Sequence, residues 1–97
     1  MATFIGLVNF TSQGMRDVKD SPDRYEAFWT MAEKVGVTVK DVYYTIGRYN
    51  IVLIMEGSNE EAAITAMFKL ASLGNVRTET LCGFTLEETT KIVSKLP

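Results

Sequence analysis

The chain has 97 residues, 46% of them hydrophobic and 23% charged, with a formal net charge of −2. That is enough for one domain with one core, and its ten scattered Lys and Arg residues form no basic run, which argues against a nucleic-acid partner. The absence of histidine removes the commonest general base, metal ligand and haem ligand, and the single cysteine excludes an internal disulfide.

Thr3 to Phe10 reads as a first strand, apolar on both faces and so expected at the centre of a sheet. The N-terminus enters this strand directly, without the charged and apolar regions of a signal peptide. No apolar run approaches membrane-spanning length. With one cysteine, these features lead to the expectation of a reducing cytoplasm and no membrane partner. Thr11 to Asp20 is polar, contains Gly14, and is expected to be a loop.

Ser21-Pro22 predicts a helix start, with Ser as the cap and Pro in the first turn. Tyr25, Phe28, Trp29, Ala32 and Val35 recur at helical spacing as its apolar stripe, and Gly36 is expected to stop it. A second strand begins near Val37 and leads into Val42 to Met55, the strongest local signal in the chain. Two runs rich in β-branched and aromatic residues flank Gly47-Arg48, which predicts a hairpin with a two-residue loop. The expected pairs are Ile46 with Tyr49, Thr45 with Asn50, Tyr44 with Ile51 and Tyr43 with Val52. Val42, Tyr44, Ile46, Tyr49, Ile51 and Leu53 then share one face.

Ser58 to Glu61 has the form of a capping box opening a helix with the stripe Ala63, Ala66, Met67, Leu70 and Ala71, ended by Gly74-Asn75. Val76 to Phe84 is a fourth strand, in which Cys82 is expected to pack as a small hydrophobe. Thr85 to Glu88 is a second capping box, starting a short helix with Leu86, Val93 and Leu96 as its buried candidates.

The order β-α-β-β-α-β with a trailing helix is the ferredoxin-like arrangement, an α+β fold in one domain spanning 1–97. It predicts a four-stranded antiparallel sheet in the order 4-1-3-2 with both main helices on one face. Strands one and three look apolar on both sides. The open face is therefore expected to bury against a second copy in a dimeric α/β-barrel type of assembly, a two-fold homodimer or larger homo-oligomer.

This topology brings the end of strand one and the starts of strands three and four to one edge. Asn9, the 11–20 segment, Arg48, Tyr49, Asn50, Arg77 and Thr78 should gather there, and a pocket is sought at that edge. Two arginines and two asparagines suit a small polar or anionic metabolite, since the guanidinium fork matches carboxylate or phosphate. The alternatives are a solvated Arg48, an Asn9 that only ties down the following loop, and an Arg77 paired with Glu79 or with another subunit. Tyr43, Tyr44 and Tyr49 have proton-transfer chemistry, and are also good strand residues. No metal or cofactor is expected.

Asn9-Phe10-Thr11 with Gln13-Gly14, Lys19-Asp20-Ser21-Pro22, Gly47-Arg48-Tyr49 and Leu73-Gly74-Asn75-Val76-Arg77-Thr78 together resemble the GYD domain proteins, a bacterial family named for a Gly-x-Tyr-Asp signature. The resemblance spans nearly the whole chain and implies a ferredoxin-like, dimeric α/β fold, but no reaction. Position 50 is Asn where that signature has Asp, so a basic or anionic role for the acid is not carried over. Three functions compete: a ligand-binding oligomer, a structural or protein-interaction module, and a cofactor-free enzyme acting on a carbonyl or enol, the last by analogy of fold alone.

Overall fold

In the computed structural model, which describes residues 1–97, strand β1 (Ala2–Phe10) runs between β3 (Ile51–Gly57) and β4 (Val76–Gly83), with β2 (Val37–Tyr44) outside β3. The order β2-β3-β1-β4, read from the β4 edge, is 4-1-3-2. All pairings are antiparallel, from Ala2–Gly57 to Val8–Ile51 on one side of β1 and from Thr3–Gly83 to Phe10–Val76 on the other. Helices α1 (Ser12–Arg16), α2 (Ser21–Lys34), α3 (Glu60–Ser72) and α4 (Leu86–Val93) complete the fold, with a single 3-10 turn at Val18–Asp20.

Alternation along β1 and β3 sends Phe4, Val8, Ile51, Leu53 and Met55 into one core, where they meet Phe28 and Ala32 of α2 and Ala63, Ala66 and Met67 of α3. The small α3 residues let that helix settle close to β1. A Cβ on Gly6 would already lie 3.2 Å from the Met67 methyl. Each of the large side chains removed from water contributes about 1.5–3 kcal/mol before entropy is counted. A β-bulge between Val39 and Asp41 resets the alternation of β2. Val39 and Val42 consequently both serve the helix side, which a regular strand would forbid.

The opposite face carries the other half of the alternation. Ile5 stands opposite Ile54 and Leu81, Leu7 opposite Val52 and Glu79, Asn9 opposite Arg77, and Tyr43 opposite Val52. Neither α2 nor α3 lies over it, and Tyr43 and Leu81 remain 58% and 44% exposed.

Several local expectations are corrected. The 11–20 segment is not a loop: the Thr11 hydroxyl accepts the Gly14 N–H and caps α1. Ser21 lies inside α2 and leaves the cap without a side-chain bond, because its hydroxyl shares a hydrogen bond with the Tyr44 hydroxyl at 2.7 Å. The α3 cap is Asn59, not Ser58, with its side chain accepting from the Ala62 N–H at 2.8 Å. Gly36 and Gly74 do end their helices, at φ +88° and +83°.

The strand ladder stops at Tyr44–Ile51, and of the next expected pair one bond is kept, from the Thr45 N–H to the Asn50 carbonyl at 2.8 Å. Tyr43–Val52 pairs as expected, but Ile46 does not pair with Tyr49, and its side chain is fully exposed. The cause lies at Asn50. Its backbone N–H donates to the Val8 carbonyl and its side-chain oxygen accepts the Phe10 N–H, both at 2.9 Å, so Asn50 is drawn to the end of β1. Thr45 closes the turn from the other side, donating its hydroxyl to the Tyr49 carbonyl at 2.6 Å.

Burial is corrected at three places. Trp29 is 45% exposed, and Cys82 is exposed beyond the reach of α3. The capping box at Thr85–Glu88 is present, yet no residue of α4 is buried, and Leu86, Val93 and Leu96 are 84%, 54% and 70% exposed.

The Thr85 backbone and side-chain hydrogen bonds hold the Glu88 carboxyl below the usual range of a glutamate. A depressed carboxyl contributes stability above its unfolded pKa and loses it as pH falls through the folded one. The Glu88 contribution to α4 is therefore expected to be fully present above about pH 4.5 and to be lost as pH falls below it. Chemical shifts of Glu88 and Thr85 across an acid titration follow this, and a Glu88→Gln variant should show no such acid step.

Candidate functional site

Helix α2 packs on β2 and α3 on β4, so a cleft stays open between them over the ends of β1 and β3. Its cavity of about 220 Å³ is bounded below by Val8, Phe10, Ile51 and Leu53, and on its sides by Tyr25, Phe28, Leu70 and Leu73. Thirteen of seventeen lining residues are hydrophobic, so water there would have few partners and an apolar occupant is favoured.

Polar groups are confined to the margins. The buried Ser21 hydroxyl and the Tyr44 hydroxyl are joined at 2.7 Å. Burial pushes the Tyr25 phenol above the usual range of a tyrosine, with smaller contributions from the Tyr44 phenol and the Asp41 carboxylate. At neutral pH it is an uncharged donor and acceptor. The Arg24 guanidinium donates to the carbonyls of Asp17 at 2.9 Å and Gly14 at 3.3 Å, pinning the α1 segment beside the cleft. Lys69 reaches the rim from α3 and belongs to neither of the chain's two salt bridges.

The end of the cleft is closed by the turn between α3 and β4. Thr11 donates its N–H to the Asn75 carbonyl at 3.0 Å and its hydroxyl to the Gly74 carbonyl at 2.7 Å. The Gln13 amide donates to the Asn75 side-chain oxygen at 3.0 Å. Buried Gly14 faces that turn with no room for a side chain.

The residues nominated from sequence do meet at this end of the sheet, but mostly on its other side. Asn9 and Arg77 are direct neighbours across β1 and β4 on the open face. The Tyr49 hydroxyl donates to the Glu79 carboxylate at 3.2 Å, and the Arg48 guanidinium lies 6.0 Å from the centre of the Tyr49 ring. Asn50 is occupied with β1, the anchoring role that was the alternative for such residues. Of the cavity's own polar groups, Tyr44 was considered only for its proton-transfer chemistry, and Ser21, Arg24, Tyr25 and Lys69 were not nominated. Their only advance signal was topological, since the start of α2 and the end of β2 fall at the same edge. No group of three His, Cys, Asp or Glu side chains comes together to hold a metal ion, and no helix is long and apolar enough to cross a membrane.

Comparison with known proteins gives three kinds of likeness. The GYD domain model matches residues 4–93. A Thermus thermophilus protein named glutamine synthetase and cystathionine beta-lyase binding protein is 34% identical over 82 residues, covering 84% of this chain and 86% of that protein. Among solved structures, a feast or famine regulatory protein from M. tuberculosis, complexed with L-methionine, superposes with a TM-score of 0.66 at 18% identity over 88% of this chain. This chain spans about half of that protein's length, 51%. A second protein of that name, FFRP-DM1, gives 0.61 at 20% identity, covering 87% of this chain and 100% of its own. The structural likenesses show the fold alone.

Proposed function

We propose that this chain, which belongs to the GYD domain family, holds a small molecule with an apolar body and an anionic end in the cleft between α2 and α3. The observation that carries this reading is the composition of the cavity: thirteen of its seventeen lining residues are hydrophobic, and the other four include Lys69, which takes part in neither salt bridge. Burial of the body supplies the affinity and the cation orients the head, because a carboxylate left in the apolar interior would be expensive. Relative to the expectation of a polar metabolite held by Asn9, Arg48, Tyr49, Asn50 and Arg77, the proposed pocket keeps the sheet edge and changes the face.

Octanoate and octanol serve as matched probes. Octanoate at ten times its Kd is expected to raise the melting temperature of the protein, octanol to do so less, and Lys69→Gln to erase the difference between them. Ala27→Trp fills the exposed mouth and is expected to abolish both shifts while leaving the unliganded melting temperature within about 2 °C, as surface substitutions do. An unchanged octanoate shift in Ala27→Trp sinks the cleft as the site. Native mass spectrometry of protein purified gently from cells then identifies what is retained.

A second reading concerns macromolecular partners, and it is favoured by the relative named for binding two enzymes. The surface for it is the open sheet face, whose apolar centre of Ile5, Leu7, Val52 and Ile54 is bordered by Arg77, Glu79, Arg48 and Tyr49. Its first occupant in this reading is a second copy of the chain, related by a two-fold axis. Asn9, Arg48, Tyr49 and Arg77 then act as a polar rim that sets register, which is how charged residues around an apolar interface are used.

A further inference from the structure

We infer that α4 is an exchanged arm, which packs its apolar side chains on the second copy of this chain and not on its own. The inference rests on the two-copy reading of the open face and adds a separate contact to it. Its starting point is a helix that has every local device for stability and no packing. The reciprocal Thr85–Glu88 box is formed, with hydrogen bonds of 2.8 and 3.0 Å, and Lys91 pairs weakly with Glu87 one turn away at 3.9 Å. Yet no residue from Leu86 to Val93 is buried. Isolated helices shorter than about 12–15 residues are marginal in water even with good propensity. A helix of eight residues needs tertiary packing, and this chain buries none of its residues.

The side chains such contacts would use are present. Phe84, Leu86, Ile92, Val93 and Leu96 are 61%, 84%, 49%, 54% and 70% exposed within a stretch of thirteen residues. That is a concentration of large apolar groups with nothing beneath it. The overall shape agrees with a projecting segment. The radius of gyration is 14.6 Å and the longest extent 52 Å, where a compact chain of this length has a radius of about 13 Å.

Two observations point to a second copy as the occupant. The first is continuity: α4 follows directly from β4, where Leu81 and Gly83 stand beside Ile5 on the open face. The arm therefore begins at the margin of the surface that the second copy covers. The second is area. Four strands about 4.8 Å apart and about eight residues long make a face of roughly 500 Å² in plan. A stable interface takes about 800 Å² of accessible surface from each partner. Even with the relief of its side chains the sheet is near the lower end, and two arms related by a two-fold axis add a contact on each side.

The test is hydrogen exchange of the full chain, read together with its mass in solution. Wild type is compared with Ile54→Glu, which alters the open face, and with Leu86→Glu/Ile92→Glu, which alters only α4. In the wild-type dimer the amides of Thr89 to Val93 are expected to exchange at least roughly tenfold more slowly than in a free 85–97 peptide, and in monomeric Ile54→Glu to exchange like the peptide. Leu86→Glu/Ile92→Glu is expected to weaken the dimer at least about tenfold with an unchanged core exchange pattern. Equal protection of α4 in the dimer and in monomeric Ile54→Glu overturns the arm, because the helix then packs on its own chain. Peptide-like exchange in the wild-type dimer overturns it too, as does an unaltered Kd in the α4 variant. If Ile54→Glu keeps the wild-type dimer, the open-face reading fails by itself, and the α4 variant alone decides: loss of the dimer supports the arm, retention overturns it. A wild-type monomer at all concentrations overturns both, while the octanoate experiment is untouched by any of these outcomes.

Discussion

Replacing Gly14 with alanine is expected to lower the melting temperature by roughly 10–25 °C, from a loss of about 2–4 kcal/mol. An ideal Cβ at that position lies 1.9 Å from the Asn75 carbonyl oxygen and 2.9 Å from its carbon. Both are backbone atoms held between the end of α3 and the start of β4, so no side-chain rotation relieves the overlap. Segment α1 must lift away from the turn instead. With it go the Thr11 N–H and hydroxyl bonds to Asn75 and Gly74 and the Gln13 amide bond to Asn75. Each is worth about 1 kcal/mol net in such a setting, though neutral bonds partly open to water fall toward the lower half of the range. Calorimetry of the variant checks this directly, and a fall of less than about 3 °C would contradict the clamp. Because the same turn closes the cleft, the octanoate-induced shift should diminish in Gly14→Ala measured at a temperature where the variant is still folded.

Ile54→Glu is expected to convert a dimer into a monomer, weakening association at least about 100-fold. Ile54 faces Ile5 across β3 and β1 in the apolar centre of the open face. A two-fold axis through that face would bring two such carboxylates together in an enclosed setting, each also opposite the Asp41 carboxylate across β2 and β3. Sedimentation equilibrium across the micromolar range reads the change. Because the position is only half-buried in the single chain, the monomer's own melting temperature should fall by little more than about 1 kcal/mol would cause. A wild-type chain that is already monomeric at micromolar concentration removes this account of the open face.

Much of the fold was legible because the signals that carry it are local and periodic. Alternating β-branched residues located the four strands, and helical spacing of Tyr25, Phe28 and Ala32, then Ala63, Ala66 and Met67, located the helices under which the core forms. Gly36 and Gly74 stopped those helices where a positive φ is needed. Once the element order was known, the crossing rules left few arrangements, and that brought the nominated residues to one end of the sheet. Short caps were less secure. Ser21 and Ser58 have cap chemistry, but one was taken by Tyr44 and the other lost to Asn59, a choice made by partners far away in sequence or by a one-residue shift in helix start.

The sequence by itself determined most of the alternation along the strands, where α2 and α3 stop, and that Asn9, Arg48, Tyr49, Asn50 and Arg77 meet at one end of the sheet. Only the tertiary structure decided which side of that sheet each one serves. The bulge at Val39/Asp41 moves β2 by one residue, and a one-residue shift exchanges faces. Asn50 keeps one bond across the hairpin, accepting the Thr45 N–H, and turns its own N–H and side-chain oxygen to the Val8 carbonyl and the Phe10 N–H of β1. The cleft itself is a gap between two helices that pack on different strands, and a gap has no residues of its own to read. The same holds for α4: its capping box is written in four consecutive residues, whereas its burial depends on surfaces that folding brings near it, and within one chain it finds none.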